Sequence, residues 1–310
     1  MKVGILGTGF GVHHARIYKN QPFVESVTIF GRNEEKLKKI NSDLGIITTS
    51  DINDILCDSS IDLIDVCLPN NLHCEYIIKA LESEKNVFCE TKICEDIVEA
   101  EAIKKAEIIY GKKVFINLFI KFYPEYRFIF EAINKNTYGK IKAIQVIRET
   151  APIWGDLGFS TIVTNLMIHD IDFITWVLGM PNKISAIGSS NNNTESCVKA
   201  LLTYNNVIVE LTGSSMMPKT YPFTVGYHAI FENGALEFCE QFSDDGNQKE
   251  LLEYTANGKR SIELDSKNPY EETIKHVIDC CANNSETILS VKNATDSLKL
   301  ALEIKNLIME

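Results

Sequence analysis

The sequence has no pair of cysteines at CxxC spacing, no long apolar run and a shortage of positive charge. Each absence removes a class of function. Lysine and arginine number 31 against 42 aspartates and glutamates, a formal net charge of −11. A protein that binds nucleic acid or an anionic membrane needs a basic face, so neither is expected as a partner. Small anionic ligands stay open, because local groups hold them. No apolar stretch reaches the roughly 18 residues of a membrane span. The chain enters "KVGILGTG" without an apolar leader, so a cytoplasmic protein is expected. Its nine cysteines lack metal-ligand spacing, the adjacent Cys280 and Cys281 included. Cys57, Cys67, Cys89 and Cys239 sit in apolar text and read as small hydrophobes, with no metal expected. Repeats, low-complexity tracts and flexible linkers are also missing.

What is present in the first 120 residues is alternation. Short β-branched runs ("KVGILG", "VESVTIF", "IDLIDVCLP", "NVFCET", "KKVFINLFI") are separated by helical patterns. In the last of those helices Ile97, Ala100, Ile103, Ala106 and Ile109 recur at spacing three and read as one apolar face. Alternating strands and helices with nearly continuous apolar strands predict a parallel sheet covered on both faces. From about residue 121 the texture changes to strand-like pieces joined by hairpin signals, "YNN" and "ENG", with helices between. The expected fold is α/β: a doubly wound Rossmann domain over residues 1–120, then an α+β domain over 121–310 with an open, largely antiparallel sheet. A final helix opens on Asn293 as its expected cap and is free to pack back on the first domain.

"GILGTGFGV" follows the first strand and opens the first helix. Gly7, Thr8, Gly9, Phe10, Gly11 and Val12 would form a turn that brings backbone close to a pyrophosphate at the helix N-terminus. A glycine turn alone is weak evidence; within a βαβ unit it becomes strong. The third glycine of GxGxxG is replaced by Val12, which predicts a small shift of the helix. At the end of the second strand an NAD site usually has a carboxylate for the ribose 2′-hydroxyl. This chain has Gly31, Arg32 and Asn33. Arg32 would pair with a 2′-phosphate, so NADP is favoured over NAD. The alternative is an arginine that stacks on the adenine or is merely solvated.

With "GTGFG", "IDVCLPNNLH", "NVFCETKICEDIVEA", "INLFIKFYPEY", "HDIDFITWVLG" and "AIFENGALEF" in this order, the chain resembles the glucose–fructose oxidoreductase / inositol dehydrogenase / MocA family over almost its whole length. The resemblance implies hydride transfer between NAD(P) and a carbon of a sugar, inositol or nucleotide sugar, in a homodimer or homotetramer. It implies that Leu68, Pro69 and Asn70 lie beside the cofactor with His73 near them, and that Glu90 and Thr91 follow at the next strand end. His73 could instead bond the start of its helix, and Glu90 could be a salt-bridged strand end.

The catalytic positions depart from the family pattern. Where Glu-Lys-Pro is usual, this chain has Glu90, Thr91 and Lys92. The family lysine would stabilise a developing alkoxide; Thr91 cannot supply that charge, whereas Lys92 could if its side chain turns back into the cleft. A trans Thr91–Lys92 peptide is expected, since a non-proline cis bond costs about 3–4 kcal/mol. The family's Asp and His, four residues apart on one helix face, correspond to Asn165 and His169. His169 is implied as the acid–base group, with a resting pKa near neutrality. Lys121 matches a family arginine, and Trp154 and Tyr270 are implied near the substrate. Trp154 could equally be interface packing.

Two further readings stay open. One is a sensor or partner subunit that binds NAD(P) without turnover, which both departures would suit. The other is redox or elimination chemistry with tightly held NAD, since fold alone does not fix the reaction.

Overall fold

A computed structural model describes residues 1–244 and 246–309. The chain divides into two compact units: Met1–Phe119 with Asn268–Thr295, and Ile120–Lys267 with the stretch from Asp296 onward. The single boundary expected near residue 120 is therefore supplemented by a return of the chain. Residues 268–295, placed above in the second domain, group with the first unit.

The first unit runs β1 (Lys2–Leu6), α1 (Gly11–Lys19), β2 (Ser26–Phe30), α2 (Glu34–Leu44), β3 (Ile47–Thr49), α3 (Asn53–Leu56), β4 (Leu63–Val66), α4 (His73–Glu82), β5 (Asn86–Cys89), α5 (Ile97–Tyr110) and β6 (Val114–Ile116). All pairings between these strands are parallel, in the order β3-β2-β1-β4-β5-β6. That order is the doubly wound one, with its switch point between β1 and β4. Ile5, Leu63, Ile64, Val66, Val87 and Phe88 are fully buried, as strands covered on both faces require.

On α5 only part of the expected stripe is inward. Ala100, Ile103 and Ala106 are buried, whereas Ile109 is exposed. Steps of three fall about 60° short of a full helical turn, so the stripe drifts off the core side. Cys57, read above as core, is exposed.

The second unit contains α6 (Pro124–Asn134), β7 (Ile141–Glu149), α7 (Ile162–Asn165), α8 (Ile168–Leu178), β8 (Lys183–Asn192), β9 (Glu195–Thr203), β10 (Ile208–Ser214), β11 (Phe223–Phe231), β12 (Gly234–Phe242), β13 (Gln248–Thr255) and β14 (Gly258–Ser261). Its eight-stranded sheet has the order β14-β13-β12-β11-β7-β10-β9-β8 and is antiparallel except at β7–β10. Two helices follow: α9 (Pro269–Asn283) and α10 (Val291–Met309). Asn293 lies inside α10 rather than capping it; Ser290 Oγ accepts the Asn293 N–H at 3.3 Å. Among the described residues no helix is long and apolar enough to cross a membrane.

Candidate active site

The carboxyl ends of β1, β2, β4 and β5 open onto a cleft of about 510 Å³. It is lined by Gly7, Thr8, Gly9 and Phe10 after β1, by Phe30, Gly31 and Arg32 at β2, by Cys67, Leu68, Pro69 and Asn70 after β4, and by Glu90 and Thr91 after β5. Gly7 has φ +115°, and a Cβ there would run into the Cys67 carbonyl oxygen. At Gly9 a Cβ would meet nothing within 4 Å, so the space above its backbone is open to a ligand. Helix α1 starts beside it with no side-chain cap and no acidic residue in its first turn. Backbone N–H groups and the helix dipole there suit a pyrophosphate. These features fit a dinucleotide.

The shift expected from Val12 is resolved by its neighbour. A Cβ on Gly11 would lie 2.8 Å from Ile5 Cγ2 and 3.2 Å from Cys67 Cβ. Gly11 thus serves the close helix–strand approach one residue early, and neither Gly11 nor Val12 lines the cleft. Asn33 does not line it either: its side chain accepts the Lys36 N–H at 2.9 Å and caps α2. Buried His73 also stays outside. Its Nδ1 lies 2.7 Å from the Lys92 carbonyl oxygen and its Nε2 2.8 Å from that of Leu68, which ties the two cleft-forming loops together.

Glu90 is the one carboxylate among the residues lining the cleft. Asn117 Nδ2 donates to its Oε1 at 2.7 Å, and the Thr91 N–H to its Oε2 at 3.3 Å. His14 Nε2 lies 3.0 Å from Oε1, at ion-pair distance but off the hydrogen-bond line. On its other edge His14 Nδ1 donates to Asp65 Oδ2 at 2.8 Å, and the Cys67 thiol donates to Asp65 Oδ1 at 3.3 Å. Burial works against Glu90's charge, but His14, Asn117 and the Thr91 N–H outweigh it and hold the carboxyl below its usual range. Sequence reading missed His14 and Asp65. The signal was Asp65 itself, a charge inside the apolar strand "IDLIDVCLP", which requires a buried partner. His14, Cys67 and Glu90 place ligand-type atoms within 4.8 Å of one another. All three are engaged by protein groups, His14 and Cys67 by Asp65 and Glu90 by Asn117.

The Thr91–Lys92 peptide is cis, not the trans form expected above. Lys92 is buried, its Nζ donates to Glu95 Oε2 at 2.6 Å, and it is not among the residues lining the cleft. Tyr270, expected at the substrate, belongs to the first unit. Its ring stacks on Phe119 at 4.5 Å and lies 5.2 Å from Phe10, one of the cleft residues.

In the second unit Asn165 and His169 are not on one continuous helix. Asn165 ends α7, His169 is the second residue of α8, and a turn at Leu166 and Met167 intervenes. The Met167 N–H reaches back to the Ile162 carbonyl oxygen at 3.0 Å, a widened turn that breaks the expected four-residue stacking. Asn165 is exposed and His169 half-buried. The neutral resting pKa expected for His169 is also corrected: burial, then the charge of Arg148, push it down to about 3. Arg148 is itself held by Asp170, with Nε and Nη2 donating to the two carboxylate oxygens at 2.7 and 2.9 Å. Lys121 is fully buried and donates to Asp172 Oδ1 at 3.0 Å, which also accepts from Ser297 Oγ at 3.0 Å. Burial lowers the pKa of Lys121 and raises that of Asp172. Trp154 is 49% exposed and makes a T-shaped contact with Phe223 at 4.3 Å.

The sequence pattern described as "Oxidoreductase family, NAD-binding Rossmann fold" matches residues 1–118, and that of the GFO/IDH/MocA C-terminal domain matches residues 126–237. The chain belongs to the Gfo/Idh/MocA oxidoreductase family. Myo-inositol 2-dehydrogenase of Thermotoga maritima is 26% identical over 188 residues, 58% of this chain and 55% of that protein. The chain spans about half the length of the curated relatives it matches. Among solved structures, UDP-N-acetylglucosamine 3-dehydrogenase from Acidithiobacillus ferrooxidans superposes with a TM-score of 0.84 at 15% identity, covering 99% of this chain and 97% of that one. A 3-ketoreductase from Actinomadura kijaniata in complex with NADP superposes with a TM-score of 0.83 at 17% identity, over 99% and 97%. At such identities the likeness is one of fold. Together the family pattern and the cleft make this a nicotinamide dinucleotide-binding protein.

Proposed function

We propose that this chain is an NADP-preferring oxidoreductase that transfers hydride between nicotinamide and a carbinol or carbonyl carbon of a sugar, inositol or nucleotide sugar. The observation that carries the reading is the cleft at the β1/β4 switch point, with its open glycine turn and with Arg32 where an NAD site has a carboxylate. Gly7, Thr8, Gly9 and Phe10 would hold the pyrophosphate, and Arg32 the 2′-phosphate as a bidentate partner. The bound nicotinamide supplies the hydride acceptor or donor. His169 is the group proposed to move the proton; it is neutral at neutral pH, the form a general base needs, although a pKa of about 3 leaves it weakly basic in the free protein. Lys92 is the cation proposed to polarise the substrate oxygen, and Asn165 a hydrogen-bonding partner to substrate. Trp154 offers an apolar plate for a sugar face. The substrate classes in the names of the inositol dehydrogenase relative and the UDP-N-acetylglucosamine dehydrogenase structure, inositol and UDP-linked amino sugar, are the first to screen. A second copy would cover the solvent face of the larger sheet, where Ile187, Leu201, Ile208 and Ile230 are exposed.

One observation favours a second reading, cofactor binding without turnover: Lys92 Nζ is already engaged by Glu95. The test is to incubate the protein with NADP⁺ or NAD⁺ and a panel of inositols, sugars and UDP-sugars while following the reduced-nicotinamide absorbance. Turnover with one panel member supports the oxidoreductase. Tight cofactor binding with no turnover across the panel supports the second reading.

A further inference from the structure

A line of charge runs under the cofactor cleft. Asp65, fully buried at the third position of β4, accepts from His14 Nδ1. His14, fully buried on α1, presents its other nitrogen to Glu90 at the end of β5, and Glu90 forms part of the cleft wall. Phe88 stacks on the His14 ring at 5.5 Å and an 18° tilt, which fixes the plane in which both nitrogens point. Ionised carboxylates only accept hydrogen bonds, and a ring nitrogen lone pair facing one at 3.0 Å would be repelled. The arrangement therefore favours protons on both nitrogens, with a hydrogen bond to Asp65 and an ion pair, off the hydrogen-bond line, to Glu90.

Other titratable groups border the cluster. His13 of α1 and Cys67 of the loop after β4 interact with His14 itself, Tyr18 of α1 with Asp65, Cys89 of β5 with Glu90 and Asp65, and Glu271 of α9 acts on neighbouring His13. Burial opposes a charge on His14, but Asp65 and then Cys67 outweigh it, which raises its pKa well above the ordinary value. The cluster then has two negative groups and one positive, and Asn117 satisfies Glu90 from the far side. Without the central cation, two carboxylates would stand in one buried neighbourhood, and one of them would take up a proton.

We infer that His14 is a positioning residue for the cofactor: anchored by Asp65, it keeps Glu90 ionised and in place as the acceptor for hydrogen-bond donors of a bound nicotinamide dinucleotide. The inference rests on the cleft being the cofactor site. It assigns His14 no contact with the ligand, so its influence passes entirely through Glu90. Two consequences separate this from a merely structural histidine. Loss of His14 should matter only while Glu90 is a carboxylate. Affinity should also hold steady with rising pH until His14 gives up its proton, and then fall.

The experiment is a fluorescence titration of the full chain with NADPH and with NADH, for wild type, His14→Gln, Glu90→Gln and the double variant. Each single change should weaken both cofactors by about tenfold, and the double variant should be no weaker than Glu90→Gln alone. Additive losses in the double variant overturn the relay. With NADH, wild-type affinity should decline toward alkaline pH, and His14→Gln should remove that decline; identical profiles overturn it. Should His14→Gln fail to fold, nitrogen NMR of the wild-type imidazole decides. Two protonated ring nitrogens at neutral pH support the inference, and a neutral tautomer defeats it. Wild-type protein that binds neither cofactor overturns the cofactor reading and this inference with it, whereas normal binding by both wild type and His14→Gln overturns the inference alone.

Discussion

Arg148 forks onto Asp170, one nitrogen to each carboxylate oxygen, at 2.7 and 2.9 Å, with both residues buried. The pair sets the electrostatics of the residue beside it. His169 lies next to a fixed positive charge in a poorly hydrated place, and so it stays unprotonated as pH falls to about 3.

That depression has a sign in stability. A histidine whose folded pKa is lowered favours folding above its unfolded value of about 6.5, and the benefit is lost as pH falls from there toward 3. Urea midpoints should decline over this window with a His169 contribution of up to about 1.4 kcal/mol per pH unit. His169→Gln, which cannot titrate, should flatten that contribution. An unchanged slope in the variant would show that His169 titrates normally.

Arg148→Met leaves Asp170 buried without its cation and should destabilise the fold by about 3–5 kcal/mol in chemical unfolding. A loss below about 1 kcal/mol, the range of a surface ion pair, would mean that the pair is solvated.

Arg32→Ala should weaken NADPH by at least about tenfold while leaving NADH nearly unchanged, because only the former has a 2′-phosphate for the guanidinium. Equal weakening in paired titrations would assign Arg32 to adenine stacking.

Lys92→Ala should lower turnover by about a hundredfold or more, with cofactor affinity preserved, as expected for removal of a group that stabilises developing charge. Full turnover in the variant would make Lys92 a bystander held by Glu95.

Gly11→Ala should destabilise the first unit by about 1–3 kcal/mol in thermal unfolding, since the added methyl meets Ile5 and Cys67. Val12→Gly, which restores the usual glycine spacing, should give no gain and should cost about 0.3–0.5 kcal/mol in helix propensity.

How far the sequence could be read follows from these same residues. Strand–helix alternation made the first sheet legible, and the hairpin signals at "YNN" and "ENG" made the second so, because both depend on local periodicity and turn chemistry. The glycine turn was legible for the same reason, whereas the residues at the ends of β4 and β5 were expected only from the family resemblance. What local text could not show was partnership across the fold. Gly11 takes over the packing role expected of position 12 because of where Ile5 and Cys67 lie, which belongs to the sheet rather than to the motif. At the break between α7 and α8, likewise, Met167 seats over Gly213 of β10, where any Cβ would collide with its side chain, a contact that local text does not show. Arg148 left a weaker trace. It falls in phase with buried Ile144 and Val146 on β7, and an arginine on that face demands a buried anion.

The central claim is that the cleft around Gly9 and Arg32 binds a nicotinamide dinucleotide with a preference for the 2′-phosphate. A fluorescence titration of the purified chain with NADPH and, separately, NADH tests it most directly. The account predicts saturable binding of both, with NADPH at least about tenfold tighter. Absence of binding by either cofactor would contradict it.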